Sequence, residues 1–258
     1  MATTFTIEPA MLVGFSLALV RSAAWVAVCP PFNSPVIPVR IRAGVAVALS
    51  FAMAGRFANT VTGAELDETG PFVLLLIAQA IAGFAIGALV LLLFTAVQAA
   101  GDFMDYQVGF ALGAVLDPVS GNQSSPLGRL HQFLALVIMF VSNGHLLVIR
   151  GLVRSVDVAP DGVPNLGALA DAAGTAISTM FLAAAEIALP ILAALFCAEI
   201  ALGLLGKAAP QMNILTLGFA TRTFLAILLL GMTLFLLPES VDSLLMQAVR
   251  AGLGIFTG

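Results

Sequence analysis

His131 and His145 are the two histidines of the chain, and neither has a carboxylate or cysteine at a metal-ligand spacing beside it. The zinc-binding patterns are therefore unmatched. Cys29 and Cys197 lie far apart in apolar surroundings and read as small buried hydrophobes, not as a disulfide or a metal pair. Ser124 and Ser125 lack the G-x-S-x-G frame of a nucleophile, and no glycine loop ends in Lys-Ser/Thr to cradle a phosphate. No catalytic, cofactor or metal site is expected, and the chain does not read as an enzyme. The residues that stand out are charges in apolar company: Arg21, Glu186, Glu199 and Arg222. Inside a bilayer such a group costs about 2.5–3.5 kcal/mol on insertion scales, so it faces protein or water. These four either pair with one another and with helix-end carbonyls, the simpler expectation, or line a conduit and relay protons.

The elements that must position them are apolar helices. The chain is 60% hydrophobic and only 9% charged, with a mean hydropathy of +1.09. Soluble domains have roughly a quarter of their residues charged, so a membrane or membrane-embedded assembly is implied. A net charge of −4, spread along the chain, implies no nucleic-acid surface. The first residues, "MATTFTIEPAML", carry no basic stretch ahead of the apolar run, so a cleaved signal peptide is not expected.

Apolar runs fall near residues 10–29, 43–57, 71–100, 133–149, 176–206 and 214–237. Crossing a bilayer as a helix takes about 20 apolar residues. The runs at 43–57 and 133–149 fall short of that and read as re-entrant or packed within protein. No barrel-like alternation is present, so the runs are helices. On a six-span arrangement Arg40, Arg42, Arg129 and Lys207 lie on one side, and Arg56, Arg150, Arg154 and Arg250 on the other. That even split gives no orientation: either the six-span arrangement is wrong or the protein is placed by its partners.

Local signals refine the runs. Pro190 removes a backbone hydrogen bond within its run, which is expected to be kinked or broken there. Gly83 with Gly87, and Gly109 with Gly113, are G-x-x-x-G pairs that let helix backbones approach closely. Pro160, Gly162 and Pro164 mark a loop, as does "ETGP". Pro210 cannot continue a helix and Asn213 can cap one, so residues 207–213 read as the turn of a helical hairpin. From Val241 to Phe256 apolar residues recur at spacings of three and one, predicting a separate amphipathic helix opened by Pro238 and Ser240. It would lie on a membrane or pack on protein.

One stretch fits none of these elements. "GDFMDYQVGFALGAVLDPVSGNQSSP", residues 101–126, is glycine-rich, acidic and closed by proline between oily runs. Non-helical backbone at membrane depth survives only against protein or a wet cavity.

Three stretches in order resemble a known family. "RSAAWVAVCPPFNSPVIPVRIRAGVAVALS" puts Arg21 before a Pro-Phe turn and Ile-Pro-x-Arg-x-Arg; "QAAGDFMDYQVGFALGAVLDP" shows Ala-Gly-x-x-x-Asp-x-Gln-x-Gly and Asp-Pro; "LGLLGKAAPQMNILTLGFATRT" sets Lys207 before Ala-Pro-Gln-Met-Asn. Together they resemble the FliR family of flagellar biosynthesis proteins and its injectisome counterparts in type III secretion. One departure is that a lysine common in the family's last stretch is replaced by a cation at Arg222. The likeness covers nearly the whole chain, residues 1–258, as a single export-gate domain.

The resemblance implies an all-α, polytopic protein of helical hairpins, a FliP-like part followed by a FliQ-like hairpin. It implies assembly with FliP-like and FliQ-like subunits into a gate for unfolded protein substrates, at the flagellar basal body in the bacterial inner membrane. FlhB-like and FlhA-like proteins are the further partners it implies. It also implies a lumen plug within residues 106–126, carried by Gly109, Phe110, Leu112, Val115, Asp117 and Pro118. Arg21, Glu186, Glu199, Lys207, Pro210, Gln211, Asn213 and Arg222 are then packing or subunit contacts. Two rivals differ in class. A free-standing small-molecule transporter would suit the intramembrane charges, yet no inverted halves with matching broken helices are visible. A purely structural nucleator would have no channel role.

Overall fold

The computed structural model describes residues 9–34, 37–58, 69–110 and 125–257. Among them are seven helices and no strand: α1 (Pro9–Val28), α2 (Val39–Ala58), α3 (Thr69–Val108), α4 (Pro126–Val141), α5 (Gly144–Val158), α6 (Leu166–Ala208) and α7 (Ile214–Gly254). The protein is an all-α, polytopic membrane protein. Helices α1, α2, α3, α6 and α7 are long and apolar enough to cross a bilayer, and α4 with α5 would make a sixth, broken span. At 40, 43 and 41 residues, α3, α6 and α7 would each extend about 60 Å. A bilayer's hydrocarbon core is about 30 Å thick. Half of each long helix must therefore lie outside the hydrocarbon or be covered by protein.

The chain divides into two compact units, one of residues 1–92, 143–177 and 245–258, the other of residues 93–142 and 178–244. In the first, α1 buries Gly14, Leu17, Ala18, Arg21, Ser22, Trp25 and Val26. Their alternating spacing of three and one is a single helix face. Helix α2 returns antiparallel along α1: Gly14 lies against the backbone of Ala54 and Ala58, and the Phe15 and Phe51 rings are 4.8 Å apart. Helix α3 also packs on α1, because Gly83 and Gly87 let the two backbones meet. A Cβ on Gly83 would stand 2.2 Å from the Arg21 carbonyl oxygen, and one on Gly87 would stand 3.1 Å from that of Trp25. This is the close approach the G-x-x-x-G spacing predicts.

Three expectations need correction. The amphipathic tail is not a separate helix, for Pro238 lies inside α7 and the helix runs on to Gly254. Proline costs one backbone bond and a ring clash, a local loss that surrounding packing can hold in place. The tail's apolar face is buried on the chain itself: Val241, Leu244, Leu245 and Ala248 are all buried. In the first unit Gly252 faces Ile86, Val249 fills the space beside Gly151, and Asn165 donates its backbone N–H to the Ile255 carbonyl at 2.9 Å. Helix α6 likewise continues through Pro190 without a break. Finally, Gly109 is not part of a helix-packing pair. Its φ of +99° ends α3 in a conformation that suits glycine, with the N–H groups of Gly109 and Phe110 both reaching the Asp105 carbonyl.

The run at 43–57, expected to fall short of a span, lies in α2, which is long enough to cross; the run at 133–149, expected to be re-entrant or packed within protein, is interrupted. Helix α4 stops at Val141 and α5 begins at Gly144, with Asn143 between them in the left-handed region at φ 59°. Asparagine tolerates that region better than most residues.

Candidate functional site: a capped loop junction, a buried arginine and a hairpin turn

The end of α3 and the start of α4 flank the acidic, glycine-rich stretch. Residues 111–124, with Leu112, Val115, Asp117 and Pro118, lie outside the described residues. What the structure places are the two roots of that segment. Ser125 is the N-cap of α4, accepting from the Gly128 N–H at 3.1 Å, and Pro126 occupies the first turn, where a missing N–H costs nothing. Asp105 on α3 reinforces the cap. Its Oδ2 accepts from the backbone N–H of Leu127 at 3.0 Å and of Gly128 at 3.2 Å, a favourable use of a carboxylate at a helix N-terminus. The Ser125 hydroxyl also bonds both Asp102 and Asp105. Glycine makes this possible. A Cβ on Gly101 would stand 2.5 Å from the Leu127 carbonyl oxygen, and one on Gly128 would stand 2.0 Å from Asp102 Oδ1. The Ala-Gly-x-x-x-Asp pattern is thus a docking face that ties the end of one helix to the cap of the next.

At the foot of the segment the Phe110 ring meets that of Phe219 on α7, edge to face at 6.2 Å. Gln107 donates to Glu199 at 3.0 Å, and Glu199 lies 3.6 Å from Arg222. Arg222 also donates from Nε to the Gly218 carbonyl at 3.2 Å.

Arg21 is treated differently. It is wholly buried and pairs with no carboxylate among the described residues. Its Nε donates to Gln79 Oε1 at 2.7 Å, Nη1 to Ser155 Oγ at 3.1 Å, and Nη2 to the Ala159 carbonyl at 2.7 Å. Ala159 is the C-cap of α5, so that last acceptor is a helix-end carbonyl, where a cation is favoured. The guanidinium also sits 5.3 Å from the Phe57 ring centroid, within cation–π range. Gln79 in turn donates to the Pro160 carbonyl at 2.8 Å. Arg21 and Gln79 thereby fix the turn between α5 and α6. In the same motif Arg42 donates to the carbonyls of Ile37 and Ser34, holding the turn that opens α2.

The Pro-Gln-Met-Asn stretch forms the turn expected of it, two residues shorter at its start. Lys207 is still in α6, exposed in its last turn; Pro210 and Gln211 are exposed in the turn. Asn213 caps α7 through Oδ1, which accepts from Thr216 N–H at 3.2 Å. Gly206 faces Ile214, Gly218 faces Leu202, and Arg222 faces Glu199. Those rising and falling numbers are an antiparallel hairpin. Glu186 is exposed on α6.

Arg222 and Glu199 are therefore brought together, while Arg21, Lys207 and Glu186 form no ion pair among the described residues. Sequence reading missed Gln79, Ser155, Gln107 and the capping role of Ser125. Only Ser125 had a local signal, a serine ahead of proline and an apolar run. Among the described residues no group of three or more His, Cys, Asp or Glu is placed to hold a metal.

Known proteins match this chain over most of its length. Residues 12–248 match the family described as bacterial export proteins, family 1. The chain is 28% identical to the flagellar biosynthetic protein FliR of Bacillus subtilis, over 92% of this chain and 93% of that one. It is 32% identical to the flagellar biosynthetic protein FliR of Escherichia coli, over 78% of this chain and 76% of that one. Yop proteins translocation protein T of Yersinia pestis is 28% identical over 85% of each chain. With the loop junction, the buried arginine and the hairpin turn all falling inside the matched span, this chain belongs to the bacterial export proteins, family 1.

Proposed function

We propose that the chain is a non-enzymatic subunit of a flagellar type III protein export apparatus in the bacterial inner membrane. Near-full-length likeness to flagellar FliR proteins carries this reading. With FliP-like and FliQ-like subunits it forms a channel for unfolded substrates, next to FlhB-like and FlhA-like proteins at the basal body. The exposed apolar side chains of the α6–α7 hairpin, Leu189, Phe196, Phe224 and Phe235 among them, support burial against lipid and neighbouring subunits. The segment rooted at Gly109 and Ser125 acts as the lumen plug, its apolar side chains excluding water while its tied roots keep it in place. The likeness to Yop proteins translocation protein T favours an injectisome role as the second reading.

Co-expression with FliP-like and FliQ-like subunits tests the assembly, with a stable three-component complex expected. A stable, transport-competent lone chain would instead support the small-molecule transporter. Deleting the gene from its own host should abolish motility, whereas loss of needle-type secretion with motility intact selects the injectisome. Shortening the stretch from Leu112 to Pro118 should leave assembly intact and open a leak to ions. A shortened complex as tight as the parent would refute the plug.

A further inference from the structure

The acid pair at the α3–α4 junction poses a charge problem that the described residues leave unsolved. Asp105 is 2% exposed, and Asp102 stands beside it on the same serine. No arginine or lysine pairs with either carboxyl among the described residues. Asp102 is half-buried, and a buried carboxylate beside a second one is disfavoured in its charged form without a counter-charge.

Hydrogen counting sharpens the point. The Ser125 hydroxyl has one hydrogen. Its oxygen already accepts from the Gly128 N–H, and its remaining two partners are a carboxyl oxygen of Asp102 and one of Asp105. One hydrogen cannot serve both bonds, so one carboxyl must bring its own.

A separate observation points to the same place. His131 is fully buried and lies one turn beyond Leu127 on the same face of α4, its Nδ1 against the Leu127 carbonyl at 2.8 Å. A carbonyl only accepts, so Nδ1 carries the hydrogen and Nε2 is the free end. His131 Nε2 and Asp105 Oδ1 are both buried and without a partner among the described residues. The imidazole lies within electrostatic reach of both acids.

We infer that Asp102, Ser125 and Asp105 form a site for one proton, shared between the two carboxyls through the serine hydroxyl. The chain of atoms is a carboxyl O–H donating to Ser125 Oγ, whose own O–H donates to the other carboxylate. The pair then carries one negative charge. Removing the proton leaves two anions on one hydroxyl, with His131 the other titratable group near them among the described residues, and loosens the tie between α3 and α4. This holds whatever the intervening segment does.

Infrared spectroscopy on the full chain, extracted with its copurifying subunits and labelled with 13C-aspartate, tests it. A label-shifted band of a protonated carboxyl is expected at neutral pH, fading as pH is raised. The band should vanish in Asp102→Asn, whose amide supplies the missing hydrogen permanently, and persist in Asp171→Asn on exposed α6. Ser125→Ala should move its frequency. Absence of a labelled acid band in the parent at neutral pH would overturn the site, as would a band unchanged by Asp102→Asn. An imidazolium signal from His131 in 15N spectra, with both acids ionised, would overturn it too. Should Asp102→Asn fail to assemble, the parent's band and its titration still decide.

Discussion

Arg21 and Arg222 are both arginines in the middle of apolar helices, and the protein settles them in opposite ways. Arg21, in the first unit, is wholly buried and bonded to three uncharged acceptors, one on α3 and two on α5 and its C-cap. Arg222, in the second unit, keeps a side chain 22% exposed and faces a glutamate that is 50% exposed. The helices around them differ likewise. About 39% of the apolar window of α1, which carries Arg21, is buried within the chain, against 22% for α7, which carries Arg222. A finished interior uses its polar groups up, whereas a surface awaiting lipid or protein leaves them at its edge. The first unit is organised around its own core, and the hairpin of the second is built to be covered.

The largest effect should follow from emptying the Arg21 site. Arg21→Ala leaves Gln79, Ser155 and the Ala159 carbonyl buried without their donor, and each such group costs about 1–3 kcal/mol. A total loss near 3–5 kcal/mol is expected, in the range seen when a buried charged partner is removed. Arg21→Lys should recover only part, because an ammonium cannot hold three separated acceptors with the geometry of a guanidinium fork. Thermal unfolding of the extracted chain, with and without partners, measures this. A tolerated alanine would mean that the first unit draws its order from elsewhere.

The next effect is steric. Gly83→Ala forces a methyl into the Arg21 carbonyl, a backbone atom that cannot swing aside. Overpacking of this kind typically costs about 1–3 kcal/mol. The adjacent helices should separate, lowering complex yield and melting temperature, while Gly44→Ala on α2, with open space around it, should be neutral or slightly stabilising. Equal behaviour of the two would deny that close backbone approach orders the first unit.

Gly83 and Gly109 show what sequence can and cannot reveal. Helix positions, the hairpin turn and the contact at Gly83 were legible because they follow from run length, proline and the absence of a Cβ, all local properties. The second G-x-x-x-G read identically, yet Gly109 ends a helix; whether a glycine is packed or capping depends on whether the chain continues the helix beyond it. Arg21's partners were illegible for a different reason. They lie 58, 134 and 138 positions along the chain, and neutral glutamine, serine and carbonyl groups carry no charge pattern that points back to an arginine. The Arg222–Glu199 pair was easier to anticipate, since a hairpin turn nearby in sequence makes them neighbours. At the loop junction the aspartates were visible, but their task was hidden until Ser125 and the α4 N–H groups stood beside them.

The smallest effect on stability should come from the second arginine. Arg222→Gln removes an ion pair with a half-exposed partner, and such pairs contribute about 0–1 kcal/mol. Glu199 keeps its bond from Gln107 and its access to solvent, so nothing is stranded. The isolated chain should therefore melt within about 1 kcal/mol of the parent, in contrast to Arg21→Ala. The hairpin's surface should respond more. If neighbouring subunits cover it, the pair becomes enclosed, and a charge left without its partner costs far more there than in the free chain. Arg222→Gln and Glu199→Gln should each lower the yield of the FliP- and FliQ-like complex, and the double substitution should restore part of it. Measuring chain stability and complex yield on the same variants separates the two regions. A loss of chain stability comparable to Arg21→Ala would make Arg222 a core residue and erase the distinction. Unchanged complex yield in both single variants would leave the hairpin's apolar surface facing lipid at this level rather than another subunit.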